Sequence, residues 1–499
     1  LIPAVDLSYG GFESLSLDLI RMGAHNAWCG VGVCEVELPP SMAPSFISSV
    51  ANDGRIIWIE PTAEFSLHNA AAAAASGVID VRANATFTLD GSGEMIAIAD
   101  TGLDLDHPDL TGRVAGVYTQ FGLDSSPAES NTGHGTHIAV SAIGDGQSNG
   151  NATGMAPNAD LVMYALEHDP TGVFGRIGSI YDLLRDAEQK TARIAINAWG
   201  ANGNYGQYSA DSRSVDIFVH DKPSMLPLFS VGDLGSQGAS QITPPSTAKN
   251  VLAIGASETG STSGSVASFS SIGPSLDGRV KPDLVAPGVD VCSGRAEEAK
   301  TSPGLTCSSE THANGDDVYT MLSGTSQATA VAGGVAALTR EFIREEVGIS
   351  APSGSLVKAA MINGARDLGS PDIPNNAEGW GQVDLDRTVL PVWDASSPST
   401  SALATFMDDN TPLDAGFGLL YAFELDASHG IDITLAWSDE AGSANAAQSE
   451  SRLVNNLDLV LVDPSGNEWY GNNFANGFTT SGQASDSVNN VERIKVAPG

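Results

Sequence analysis

From Glu94 onward the chain repeats one pattern: a short, largely apolar run, usually closed by Gly, Asp or Trp-Gly, followed by a helix-length segment. The runs are residues 95–99, 161–165, 194–198, 226–231 and 251–254, and segments such as 178–190 lie between them. Buried strands separated by helices are the mark of a parallel sheet covered on both faces. The expected fold is therefore α/β. Ligands on such sheets bind beyond the carboxyl ends of the strands, which is where the unusual residues of this chain fall.

The flanks read differently. Residues 1–68 hold a helical fragment (13–22), a strand (33–38), a second helix after Pro39-Pro40 and a strand (55–60). An alanine run at 70–75 offers little apolar surface and reads as a loose connector. After about Leu390 the helices stop. Residues 419–425, 431–437, 457–462 and 491–496 alternate in the strand manner, as in an all-β sandwich or jelly roll. The chain stops at Ala497-Pro498-Gly499, where a further strand or two is expected.

Composition excludes several functions. Against 23 Lys and Arg stand 60 Asp and Glu, a net charge of −37 over 499 residues. A surface this negative repels phosphate, so nucleic acid is not an expected partner. No run of 18 apolar residues exists to span a membrane. The four cysteines form two close pairs, Cys29 with Cys34 and Cys292 with Cys307, without zinc-site spacing. Two local disulfides and an extracellular setting are expected. The start at Leu1 reads as that of a processed or trimmed chain.

Three segments carry chemistry. An apolar strand ends in Asp100-Thr101-Gly102. Gly133-His134-Gly135-Thr136-His137 sets a histidine between glycines. Ser323-Gly324-Thr325-Ser326 opens a helix of small residues, where the helix dipole and free N–H groups favour developing negative charge. A serine hydroxyl needs an imidazole to take its proton, and the imidazole needs a carboxylate to fix its tautomer. Asp, His and Ser in that order on a parallel α/β domain resemble a subtilisin-like serine protease, a subtilase.

The resemblance extends from near Gly91 to near Leu390. It includes Gly154-Met155-Ala156-Pro157, Ala248-Lys249-Asn250-Val251 and Asp277-Gly278-Arg279-Val280-Lys281-Pro282-Asp283. Asn197-Ala198-Trp199-Gly200 and Leu453-Val454-Asn455-Asn456-Leu457-Asp458-Leu459 resemble, more narrowly, the oxidation-resistant alkaline subtilases, in which a jelly roll follows the catalytic domain. It implies a propeptide domain (1–68), a subtilisin-like catalytic domain (69–390) and a β jelly roll (391–499). It implies that Asp100 orients, His134 is the general base and acid, Ser326 is the nucleophile, and His137 is structural. Substrate backbone would pair with Gly172, Val173 and Phe174 and with Ala198, Trp199 and Gly200.

One departure bears on activity. Where the family has its oxyanion-hole asparagine this chain has Asp233, in Val231-Gly232-Asp233-Leu234. An amide donates to an oxyanion, whereas an ionised carboxylate only accepts. Ser326 would supply the other donor from its backbone. The expectation is a slowed or pH-shifted endopeptidase, with a catalytically impaired peptide-binding module as the alternative. Gln327 stands where many subtilases carry an oxidisable methionine. The tail 62–69 would thread the cleft, with a cut between Leu67 and Ser76. Expected partners are peptide and protein substrates and the chain's own propeptide, with the protein a monomer. Structural calcium is expected at Asp211 with Asp216, and at Asp439 with Asn456 and Asp458.

Overall fold

The apolar runs pair side by side. In the computed structural model, strands β1 (Met95–Asp100), β2 (Val114–Tyr118), β3 (Asp160–Ala165), β4 (Ile194–Asn197), β5 (Leu226–Ser230), β6 (Leu252–Ser257) and β7 (Leu284–Pro287) form one sheet. Their order is β7-β6-β5-β4-β1-β3-β2. Every pairing is parallel. The structure describes residues 2–3, 9–30, 33–38, 41–58, 68–83, 88–129, 131–260, 264–300, 305–390, 405–409, 411, 413–425, 430–482 and 484–498.

Strand periodicity divides the core into two layers. Ile96, Ile98, Leu161, Met163, Ile196, Leu228 and Ile254 pack in one cluster with residues of helices α1 (His134–Ile143), α4 (Thr325–Phe342) and α5 (Gly354–Gly364). Ala97, Ala99, Val162, Tyr164, Ala195 and Phe229 pack in another with α2 (Ile180–Gln189) and α3 (Ala210–Asp221). Alternate residues of one strand thus serve opposite faces, and burial on both explains why the runs are continuous rather than alternating. This is the expected parallel sheet flanked by helices.

Helix α4 fixes the depth of the layer. Every one of its residues except Ser326 is buried, which its composition of Ala, Gly, Thr and Val permits. A Cβ added at Gly333 would lie 2.3 Å from Ile196, and one at Gly334 2.5 Å from Met155. Larger side chains there would push the helix off the sheet.

The chain divides into two compact units, Leu1–Ser66 and Leu67–Gly499. In the first, helices Tyr9–Arg21 and Ala43–Val50 accompany a hairpin of Asn26–Gly30 with Val33–Glu37 and a short pairing of Ile2–Pro3 with Ile56–Trp58. Leu15, Leu19, Phe46 and Val50 form its core. Cys29 and Cys34 are direct partners in the hairpin register. The hairpin's first strand is an element that the sequence reading did not mark.

The alanine run is not a loose connector. His68–Ala75 is a helix, and Ala72 and Ala73 are buried within the first core layer of the second unit. Small side chains let this helix lie close; the backbone carbonyl of Ala75 accepts from Gln382 at 2.6 Å. Of the tail expected to thread a cleft, residues 62–67 lie outside the described residues.

Beyond Leu390 the second unit carries antiparallel strands. Ile431–Ala436 pairs with Val491–Val496, and Val460–Val462, Glu468–Ala475 and Phe478–Ser481 form a three-stranded sheet. Residues 419–425 form no strand despite their alternation, and Leu420 is 94% exposed. The region is tied down by buried polar contacts. Lys249, wholly buried, reaches Asp439 at 2.9 Å and the Arg452 carbonyl at 2.6 Å. Asn250 donates to the Asp439 carbonyl at 2.7 Å, and Arg493 donates to the carbonyls of Ile362 and Asn363.

Removing one member of a buried pair leaves the other charge uncompensated, typically at about 3–5 kcal/mol. Lys249→Met should therefore lower unfolding free energy by about that amount in urea titration, whereas a change under about 1 kcal/mol would show that the pair does not anchor the β region.

Candidate active site

Three chain segments meet beyond the carboxyl edge of the sheet. Asp100 is the last residue of β1, His134 the first of α1, and Ser326 the second of α4. They line one cavity of about 420 Å³ with Thr101, Thr132, Phe174, Ala198, Trp199, Asp233, Leu322, Ser323 and Gln327. The sheet order places it where β1 lies between β3 and β4, so that the connection from β3 to β4 crosses over β1. Such crossings open a crevice.

The glycines around His134 have separate reasons. Gly133 has φ +75°, a conformation few residues adopt. Gly135 lies against the Gly102 backbone, since a Cβ there would sit 2.2 Å from its carbonyl oxygen. This close approach brings the start of α1 to the end of β1. Nδ1 of His134 donates to Oδ1 of Asp100 at 2.6 Å, and Asp100 is 1% exposed. Thr101 N–H donates to the same oxygen at 2.8 Å. Burial works against charging His134, but Asp100, with Glu129 and Asp233 behind it, outweighs that penalty and holds its pKa above the ordinary imidazole value.

His137, one turn along α1, is different in kind. Its Nε2 donates to the carbonyls of Val291 (3.0 Å) and Thr320 (3.3 Å). Burial pushes its pKa down to about 3, with repulsion from His134 adding to it. It is a neutral brace for the antiparallel pairing of Val291–Gly294 with Tyr319–Leu322, the strand that leads into Ser323. The Cys292–Cys307 disulfide lies in the same hairpin system.

Ser326 Oγ donates to the Ala198 carbonyl at 2.7 Å. Among the described residues it makes no hydrogen bond to His134. Asp233 is exposed at the cavity wall, and its Oδ1 accepts from Thr325 N–H at 2.9 Å. The acid thus caps the N-terminus of α4, where a negative charge is favourable. Gly232 N–H donates to Thr325 Oγ1 at 3.2 Å, which closes the loop onto the helix.

Phe174, Ala198 and Trp199 supply the apolar wall. Trp199 is held by its indole N–H on the Ala99 carbonyl (2.8 Å) and by edge contact with Phe229. Its ring centroid lies 6.1 Å from that of Phe174. Gly172 and Val173 stand on the hairpin formed by Glu167–His168 and Val173–Phe174, with Val173 54% exposed. Gly200 is packed on Thr243.

The residues expected to hold calcium are otherwise engaged. Asp211 pairs with Arg176, while buried Asp216 accepts from Tyr208 and from the backbone N–H groups of Lys249 and Asn250. Asp439 is met by Lys249 and the Val454 and Asn455 amides, and Asn456 donates to Asp458. An ammonium group thus stands beside Asp439, where a cation was expected. Carboxylates close enough to share an ion occur elsewhere, in Asp104 with Asp106 and Glu298, and in Asp367 with Asp372 and Glu378. Glu129, buried behind the Asp100–His134 pair, was also not singled out from the sequence.

Residues 91–381, more than half of the chain, match the model of the subtilase family of peptidases. The chain belongs to the subtilase family. It is similar to the Serine protease/ABC transporter B family protein tagA of Dictyostelium discoideum, at 27% identity over 91% of this chain and 32% of that protein. It is also similar to Serine protease AprX of Bacillus subtilis, at 30% identity over 62% of this chain and 70% of that one. This subtilase chain thus spans about a third of the length of the first of these relatives. Its fold is similar to that of the CspB protease of Clostridium perfringens, with a TM-score of 0.53 and 16% identity over 64% of this chain and 96% of that chain.

Proposed function

We propose that this subtilase is a serine endopeptidase working through Asp100, His134 and Ser326. The observation that carries the reading is the 2.6 Å Asp100–His134 bond facing the same cavity as Ser326, the one unburied residue of α4. Asp100 holds Nδ1–H, so the other ring nitrogen is the base. Ser326 Oγ attacks the peptide carbonyl carbon while His134 takes its proton. The tetrahedral intermediate collapses as His134 protonates the leaving amine, and water repeats the sequence on the acyl-enzyme.

The resting bond from Ser326 to Ala198 fits this cycle. Ala198 O is an edge acceptor that an extended substrate's N–H would claim. Substrate entry would free the hydroxyl to turn toward His134, and catalytic hydrogen bonds often tighten only on binding. Phe174 and Trp199 would take apolar side chains of the peptide.

Asp233 makes the enzyme slow near neutrality. As a carboxylate it accepts from Thr325 and offers the oxyanion no donor, leaving the Ser326 backbone N–H to carry that load. It also raises the pKa of His134, so the neutral base is reached only at higher pH. Both effects point the same way. On denatured protein substrate across pH 5 to 10, Ser326→Ala should abolish hydrolysis. Asp233→Asn should raise kcat at pH 7 by about tenfold or more, where one oxyanion donor is typically worth about 10²–10³. It should also move the acid limb to lower pH. A lower or unchanged kcat would contradict this role, and no hydrolysis by the parent at any pH would favour the impaired peptide-binding reading.

The small α+β unit Leu1–Ser66 suits a propeptide, which self-incubation followed by intact-mass measurement would show as a cut between Leu67 and Ser76; a chain that stays uncut would count against it. The Cys292–Cys307 disulfide and the acidic surface suit an extracellular enzyme, acting as a monomer. Asp104 with Asp106 and Glu298, and Asp367 with Asp372 and Glu378, are suited to structural calcium, because the ion favours several carboxylate oxygens. A chelator should then lower the melting temperature and added calcium restore it, whereas an unmoved melting curve removes both sites.

A further inference from the structure

Glu129 is 0% exposed, and among the described residues no Lys or Arg forms an ion pair with it. Its oxygens accept three hydrogen bonds. Oε1 takes the Gly133 N–H at 3.1 Å; Oε2 takes the Gly135 N–H at 3.0 Å and the Thr101 hydroxyl at 2.7 Å. Gly133 and Gly135 are the residues on either side of His134, and Thr101 follows Asp100. Gly135 N–H is shared with Thr101 Oγ1 at 2.8 Å, and that hydroxyl lies 3.3 Å from Asp100 Oδ1. One carboxylate therefore grips both chain segments that carry the Asp100–His134 bond. Burying it without a cation is costly.

We propose that Glu129 is a positioning residue for the Asp100–His134 pair, orienting the imidazole through the amides on either side of it and through Thr101. The inference rests on the triad reading above. No atom of Glu129 touches substrate; its action is through the groups it holds. It has an electrostatic side as well. Burial pushes its pKa up to about 7, the Thr101 hydrogen bond opposes this, and Asp100, His134 and Glu167 are the charged groups that act on it. When ionised it helps hold His134 above the ordinary imidazole value, after Asp100.

The test compares the full-length parent with Glu129→Gln and Glu129→Ala by peptide hydrolysis, by NMR titration of the His134 imidazole and by thermal melting. A glutamine has one acceptor oxygen and cannot serve donors at both ends. Its folded form should show kcat reduced about tenfold or more with KM within about twofold, since small misplacements of reacting groups cost rates of that order. The His134 titration should move to lower pH. Should both variants fail to fold, Thr101→Val, which removes the hydroxyl that joins Glu129 to Asp100 and that accepts from Gly135 N–H, should lower kcat in the same direction. A folded variant with kcat within twofold of the parent and an unmoved His134 midpoint would overturn the proposal. If the parent itself hydrolyses no peptide, the triad reading fails separately, and the His134 titration still decides whether Glu129 sets the pair.

Discussion

The burial of α4 is the constraint on which the rest depends. Its glycines let the helix lie against Ile196 of the sheet and Met155 beside α1, and burial of every other residue of the helix fixes where the Ser326 backbone stands. The same closeness at Gly135 and Gly102 brings α1 to the end of β1. The cavity thus arises where tightly packed backbones stop, and its reactive groups stand on rigid elements rather than on loops. Preorganisation of this kind is where most of the rate of such a site originates.

His134 lies in a field of carboxylates: Asp100 bonded to it, Glu129 behind it and Asp233 across the cavity. All three favour the charged imidazole, the form that the proposed mechanism needs when Ser326 gives up its proton. In the proposed mechanism only Asp233 would stand near the developing oxyanion, so one residue would help the first proton transfer and hinder the second stage. Its hydrogen bond to Thr325 N–H explains how the helix tolerates it. An acid at a helix N-terminus is stabilising for the fold, whereas in the proposed mechanism it would be unfavourable for the chemistry.

What the sequence makes legible follows from which physics is local. Apolar runs buried on both faces announce β1, β3, β4, β5 and β6, and Asp100, His134 and Ser326 stand out because a serine nucleophile needs a base and the base a carboxylate. The alanine helix at His68–Ala75 was hidden because its stability lies in close packing against Ala75's distant partners, not in an apolar stripe. Residues 419–425 alternate like a strand yet pair with no strand among the described residues, because alternation indicates two faces and not a neighbour. Asp216 and Asp439 looked available to a metal until Tyr208 and Lys249 met them. Glu129 was invisible for the same reason, since its partners are mainly backbone amides that only the fold brings together.

The central claim is that His134 activates Ser326 through its bond to Asp100. Covalent labelling of Ser326 by a fluorophosphonate probe, located by peptide mass spectrometry, tests it most directly, because reaction needs an activated hydroxyl and not a complete oxyanion hole for peptides. The account predicts labelling at Ser326 that rises with pH as His134 loses its proton and that His134→Ala abolishes. Labelling that is absent in the parent, or that persists unchanged without His134, would contradict it.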